Sequence, residues 1–429
     1  MIWTVAAIGF PAAILVALSP AARPYAETAI AGLAVILCID AARSDRALAG
    51  LRVELPELAR FFKDRDGRIP VRVQNPGGAA RALRVGIAAP DGIDSSFEDQ
   101  RVNLPGGADA AEFAWPCTPR RRGRYRIQEC ALEAPSPLGM WEARRREPVS
   151  IEIRVYPNLR RDDDLKAVLR GSGSHARRQV GRGREFEKLR EYTPGDSLDE
   201  LHWKASARRG RPITKVFQVE RTQEVYIIVD TSRLSGRWFG EDTALERALS
   251  ASLLVGAAAQ RRGDLFGLAA FADQVETFAS AGNGKAHYSA CRDAIYQLQT
   301  RPVSPDFDEI ATFLRLRLRR RALLVFLTSL DDPVIAENFV RASRLLSRRH
   351  LVVAAMPRPP EAQPLFHDSD VESTGDIYRH LAGHLSWRHL RELEAALSRD
   401  GVRLALLDPK NFGSAIVGLY DEIKQRQLL

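Results

Sequence analysis

The chain has 429 residues, enough for two or three domains with their own cores. Its 45% apolar content is ordinary for globular protein, and 63 Lys+Arg against 54 Asp+Glu leave it basic, which permits contact with nucleic acid or an acidic membrane surface. Four cysteines, Cys38, Cys117, Cys130 and Cys291, lack any C-x-x-C spacing, which argues against a cysteine-built metal centre and is consistent with a reduced compartment.

From Ile2 to Ala22 there is no charged side chain. A helix of roughly 20 such residues spans a bilayer core. Trp3 suits the interface, and Pro11 would kink the helix without breaking it in lipid. A second apolar run, Thr28 to Ile39 and including Leu37, lies between Glu27 and Asp40. It spans if its end carboxylates reach the interface. A signal peptide would want a positive n-region, and no Lys or Arg precedes Arg23. A transmembrane hairpin over 1–46 is therefore expected, with a buried globular hairpin as the alternative. Arg43, Arg46 and Arg52 follow the second run, so positive-inside bias places the rest of the chain in the cytoplasm, at the inner membrane. If this region lay outside, Cys117 and Cys130 could pair.

Residues 52–157 alternate. Ile69, Val71 and Val73 share a face, as do Leu83, Val85 and Ile87, and later Ile151, Ile153 and Val155. Gly/Pro turns separate these runs, which predicts a β-sandwich-like domain. The basic run Arg120 to Arg126 reads as a solvated hairpin, because no second aromatic joins Tyr125.

Residues 158–221 read as a linker and basic junction. Arg160 to Arg170 suggests a short helix, and the Gly- and Arg-rich run after it a loop. GRGREF lacks the spacing of a phosphate loop. Arg170 to Arg221 holds thirteen Lys/Arg against seven Asp/Glu, a net +6 of the chain's +9. Either an acidic partner, lipid headgroups or solvent meets that charge. Tyr192 and Trp203 read as packing residues, Thr193 to Asp196 as a turn, and Asp199 with His202 as a local hydrogen-bonded pair.

The stretch from Arg190 reads RExxxGDxxxxxHWKxxAR, with Arg190, Glu191, Gly195, Asp196, His202, Trp203, Lys204, Ala207 and Arg208 at the fixed positions. A hydrophobic strand ending in Asp-x-Ser follows. This resembles the signature of the bacterial and archaeal family catalogued as domain of unknown function 58. The resemblance is strongest over residues 181–235. It implies a membrane-anchored protein with a von Willebrand factor A-like domain, associated with a MoxR-type AAA+ ATPase.

Residues 222–429 alternate strand with helix, which predicts a doubly wound, mostly parallel sheet. EVYIIVD, ALLVFLTSL, HLVVAAM and VRLALLD are buried strands, and DLFGLAAFA with QVETFAS forms a hairpin. Helices are expected over 244–262, 286–298, 308–320, 335–349, 385–399 and 412–425. The loops after the first and central strands, Asp230-Thr231-Ser232 and Thr328 to Asp332, should face each other at the carboxyl edge. Asp230, Ser232 and Asp331 there resemble the D-x-S-x-S adhesion site of von Willebrand factor A domains, and their hard oxygens suit Mg2+. Leu234 stands at the last Ser position, and no Thr ligand is evident around Ala281 to Ser289. The alternative is that these residues cap the turns and helices that follow. His380, His384 and His389 lack the Glu of a zinc motif and read as a polar helix face.

A non-catalytic adaptor is the expected function, binding protein through the α/β domain. Two alternatives remain: a hydrolase using Glu191, Asp196, Asp199 and His202, and a basic nucleic-acid binder.

Overall fold

A computed structural model describes residues 11, 14, 23–78, 81–97, 99–159, 180–181, 185–193, 201–218, 223–365 and 373–426. The chain divides into two compact units, Met1–Asn158 and Leu159–Leu429. Most of the first predicted span, with Trp3, lies outside the described residues, as do Gly195, Asp196, Asp199 and the predicted helix over 160–170.

The N-terminal unit begins with helix α1 (Arg23–Ser44), 22 residues long. That length gives about 33 Å of rise, enough for a hydrocarbon core. Within Arg23–Ala47, an 18-residue window reaches a mean hydropathy of 1.6. The predicted Thr28 to Ile39 run is thus the middle of a longer helix, started by Arg23, whose guanidinium pairs with Glu27 at 2.9 Å one turn on.

Among the described residues nine strands follow: β1 (Arg52–Glu54), β2 (Leu58–Phe62), β3 (Gly67–Gln74), β4 (Arg81–Ile87), β5 (Ile93–Asp94), β6 (Asp99–Leu104), β7 (Ala110–Pro119), β8 (Gly123–Pro135) and β9 (Glu142–Tyr156). They form two sheets, ordered β1-β3-β7-β5 and β2-β9-β8-β4-β6. The three predicted inward triplets are all buried, and they meet Trp115, Leu132 and Leu104 in one core. Period two therefore placed the sheet faces correctly. Cys117 and Cys130 are free and buried in that core, and burial pushes their thiols up to about 11 and about 12. The basic Arg120 to Arg126 hairpin is tied by ion pairs, Arg120 to Asp94 and Arg124 to Glu152.

The C-terminal unit opens with a small sheet that the sequence reading treated as linker. Strands β10 (Val180–Gly181), β11 (Glu185–Glu191) and β12 (Ile213–Gln218) pair antiparallel in the order β10-β12-β11. Helix α2 (Trp203–Arg209) lies between β11 and β12.

The main sheet comprises β13 (Glu224–Asp230), β16 (Leu265–Phe271), β17 (Val275–Gly282), β18 (Ala322–Leu327), β19 (Leu351–Pro357) and β20 (Arg403–Leu407), with a two-stranded ribbon of β14 (Trp238–Phe239) and β15 (Asp242–Thr243) beside it in sequence. Its order is β17-β16-β13-β18-β19-β20, parallel except for β17. The chain runs outward from β13 to β16 and β17, then crosses back to β18. That reversal makes the β13/β18 edge the topological switch point of a doubly wound sheet.

Helices cover both faces. α3 (Ala244–Arg261), α4 (Lys285–Ile295) and α8 (Phe412–Gln425) pack on the face bearing Val225, Ile227 and Val229. α5 (Phe307–Arg317), α6 (Pro333–Ser347) and α7 (Thr374–Arg399) pack on the face bearing Tyr226 and Ile228. Both faces are thus buried, which is why these strands read as continuous apolar runs. Helix starts follow the capping rules: Thr243, Asp306 and Asp332 each accept from a backbone N–H of the helix they begin. α7 starts eleven residues before its predicted position, because Ser373 and Asp376 form a reciprocal capping box.

Candidate functional site

The carboxyl edge of β13 and β18 carries a small cleft, with Asp230, Ser235, Thr328 and Ser329 as its polar lining. Asp230 ends β13 and is 2% exposed. Its Oδ1 accepts the Ser232 N–H at 2.8 Å, and its Oδ2 accepts the Thr328 hydroxyl at 2.6 Å. The two loops therefore face each other as expected. Burial pushes the Asp230 carboxyl above its ordinary value, and the hydrogen bonds to Ser232 and Thr328 offset part of that rise.

The serine pair departs from the expected spacing. Leu234 holds the position expected for the second hydroxyl and packs into the core. A 3-10 turn over Arg233–Gly236 follows β13, and Ser232 Oγ accepts from the Leu234 N–H at its start. With three residues per turn, residues three apart eclipse. Ser235 is accordingly brought back over Ser232, donates to its carbonyl at 2.8 Å, and lines the cleft. Its hydroxyl also meets Thr300 Oγ1 at 3.2 Å. Sequence reading missed both Ser235 and Thr300, because a D-x-S-x-S template has no place for a one-residue slip.

Asp331 goes elsewhere. Arg237 Nη1 donates to it at 2.5 Å and Arg237 Nη2 reaches Glu361 at 3.4 Å. Asp332, not Asp331, caps the next helix, accepting from Val334 and Ile335. A hard dication needs six or more oxygens, with carboxylates free to ligate it. Both Asp230 oxygens are engaged internally and Asp331 is committed to Arg237. Among the described residues, no three His, Cys, Asp or Glu side chains gather at a metal-sized site. The donor set as folded does not fit Mg2+.

Beside this edge stands Trp238, the residue after Arg237, with 68% of its surface exposed. Arg237 stacks over the buried ring of Phe239 at 5.4 Å, which holds the guanidinium in place between its two carboxylates.

The signature stretch is a second assembly. His202 is the N-cap of α2, its Nδ1 accepting the Ala205 N–H at 3.0 Å. Ser206 Oγ donates to the His202 carbonyl and accepts the Ile213 N–H, pinning α2 to β12. Gly210 closes the helix at φ 68°, where a side chain would be strained. Arg190 donates to Thr193 at 2.6 Å, and Glu191 pairs with Arg211. Trp203 is 73% exposed, so the packing role expected of it is corrected: it sits at the first helical position, facing solvent with Lys204, Ala207 and Arg208. Tyr192 is half-buried. Of the four proposed acid/base residues, Glu191 and His202 have these local partners, and Asp196 and Asp199 lie outside the described residues.

On α7, His384 Nδ1 accepts the Leu365 N–H and its ring stacks on Trp387. The surrounding face is not polar as expected, since Ile377, Tyr378, Leu381 and Leu385 are exposed on it.

Residues 188–373 match the family model described as "Protein of unknown function DUF58". The expected resemblance to the DUF58 family is thus supported over those residues. The match takes in α2 and its signature, β13, the whole Asp230 cleft edge except α8, and the Arg237 cluster. Relatives are themselves uncharacterised. The chain is 26% identical over 213 residues to "Uncharacterized protein Rv1480" of Mycobacterium tuberculosis, covering 48% of this chain and 62% of that protein. It is 25% identical over 178 residues to "Uncharacterized protein YeaD" of Bacillus subtilis, covering 38% and 43%. Among solved structures, proximal thread matrix protein 1 from the mussel byssus aligns over 46% of each chain at 10% identity and a TM-score of 0.26, a likeness too slight to bear on fold or function.

Proposed function

We propose that this protein is a membrane-anchored, non-catalytic adaptor that docks a protein partner on the carboxyl edge of its main sheet. In this reading α1 belongs to an inner-membrane anchor, both units face the cytoplasm, and the C-terminal unit acts as a von Willebrand factor A-like domain. The partner implied by the family resemblance is a MoxR-type AAA+ ATPase, acting in assembly or maturation of other proteins.

The observation that carries the reading is Trp238 standing exposed beside the Arg237–Asp331–Glu361 cluster. Trp and Arg are enriched where a few residues supply most of an interface's energy. Behind them the cleft is internally satisfied: its buried carboxylate has its hydrogen bonds, and its loops are tied by Thr300 and Thr328. That favours a preformed docking face over an acid/base site, which needs a group free to take a proton from substrate. His202 and Glu191 support the same choice, since their described partners belong to the fold of the signature hairpin.

A photo-crosslinking amino acid at position 238, in cells, tests this. The expected result is a covalent adduct with the ATPase that is absent when the same probe replaces Arg399 on α7. Equal labelling from both positions, or an adduct only with lipid, would sink the docking face.

A further inference from the structure

The turn joining β8 to β9, residues 136–141, is built against the last turns of α1. Asp40 lies one turn before the end of α1, yet it is 1% exposed. Its carboxylate accepts from the Ser136 hydroxyl at 2.5 Å, the Leu138 N–H at 2.9 Å and the Met140 N–H at 3.3 Å. The Trp141 indole N–H donates to the Leu37 carbonyl at 3.0 Å, one turn higher. Four hydrogen bonds thus clamp a six-residue turn to the helix.

The outside of that turn is apolar. Leu138 is 57% exposed and Trp141 37% exposed, with Pro137 beside them. They continue the exposed apolar surface of α1 formed by Val35, Ile36 and Ile39. A carboxylate near hydrocarbon is costly unless its acceptors are filled. Here the turn fills them and turns an apolar surface outward. Trp favours the headgroup level, where its ring is in an apolar setting and its N–H has a partner. Arg43 and Arg46 are exposed just beyond, at the level anionic headgroups would occupy.

We infer that the β8–β9 turn is a second membrane contact, with Leu138 and Trp141 inserted into the bilayer interface and clamped to α1 through Asp40. This rests on α1 spanning the membrane. A single helix fixes only a point of attachment. A turn locked to it and seated in the headgroups also fixes how the β unit tilts over the membrane.

The test uses the full chain in liposomes containing spin-labelled lipid, with an environment-sensitive fluorophore on one cysteine. Cys117, Cys130 and Cys291 are buried and burial raises their thiols, so Cys38 is the native thiol that labels. A Cys38 label reports α1. In a Cys38→Ser background, Leu138→Cys reports the turn, and Arg121→Cys reports the far end of β8, roughly 40 Å away by strand length. Quenching of the Cys38 and Leu138→Cys labels, several-fold above Arg121→Cys, is expected. Quenching at Cys38 with Leu138→Cys no better than Arg121→Cys overturns the second contact alone. No quenching at Cys38 removes the spanning reading instead. A blue-shifted but unquenched Leu138→Cys label means that protein, such as a second copy, covers the turn, and also overturns it.

Discussion

Replacing Asp230 by Ala and by Asn separates the two things its carboxyl does. In Asp230→Ala, the Ser232 N–H and the Thr328 hydroxyl lose their acceptor, and both residues are buried. Each unsatisfied buried group costs about 1–3 kcal/mol. Relief of a buried charge offsets part of this, leaving a net loss of about 2–4 kcal/mol. Asp230→Asn keeps an acceptor for the Ser232 N–H, and the Thr328 hydroxyl can rotate to accept from the new amide. Its loss should stay below about 1 kcal/mol. Hydrogen exchange of the segment 224–236 reads both as opening free energies. The alanine variant should exchange about 30- to 1,000-fold faster and the asparagine variant less than about tenfold faster. Equal protection in wild type and Asp230→Ala would refute the claim that this carboxyl organises the edge. Equal losses in the two variants would show that its charge, not its hydrogen bonding, matters.

The same residue sets a pH dependence. Burial raises the folded carboxyl above its ordinary 3.8, so the folded state holds this proton more tightly than the unfolded state. Stability should therefore fall as pH rises from 3.8 through the raised value, and the wild-type minus Asp230→Asn difference should carry that slope. Gly383→Ala would place a Cβ 2.2 Å from the Glu361 carbonyl, so it should destabilise the unit by about 1–3 kcal/mol in denaturant titrations, while Gly210→Ala perturbs only α2. Asp264 is buried and accepts from Tyr420, Lys424 and the Gln223 N–H, so Asp264→Ala should cost about 3–5 kcal/mol by the same titration. Trp238→Ala should leave stability within about 0.5 kcal/mol of wild type, because its side chain is mostly in solvent.

Periodicity carried most of the fold. The inward triplets of the β unit and the buried runs of the main sheet were legible because each face keeps one pattern for its full length. What escaped was local geometry. Val180 to Gln218 looked like linker because its strands are short and charged, and their pairing is long-range. The site was half legible: Asp230 and Thr328 follow from where strands end, but the slip that admits Ser235 depends on a 3-10 turn that composition does not announce. Asp331 could not be separated from Asp332 by sequence, since only the fold brings Arg237 across to claim it. The exposure of Trp203 was hidden for another reason, because an aromatic beside a turn reads as a packing residue.

The adaptor reading stands or falls on affinity. The full chain in lipid nanodiscs should bind a purified MoxR-type AAA+ ATPase saturably, Trp238→Ala should weaken that binding by about tenfold or more, and EDTA should leave it unchanged. Absence of binding, or binding that Trp238→Ala does not alter, would contradict it.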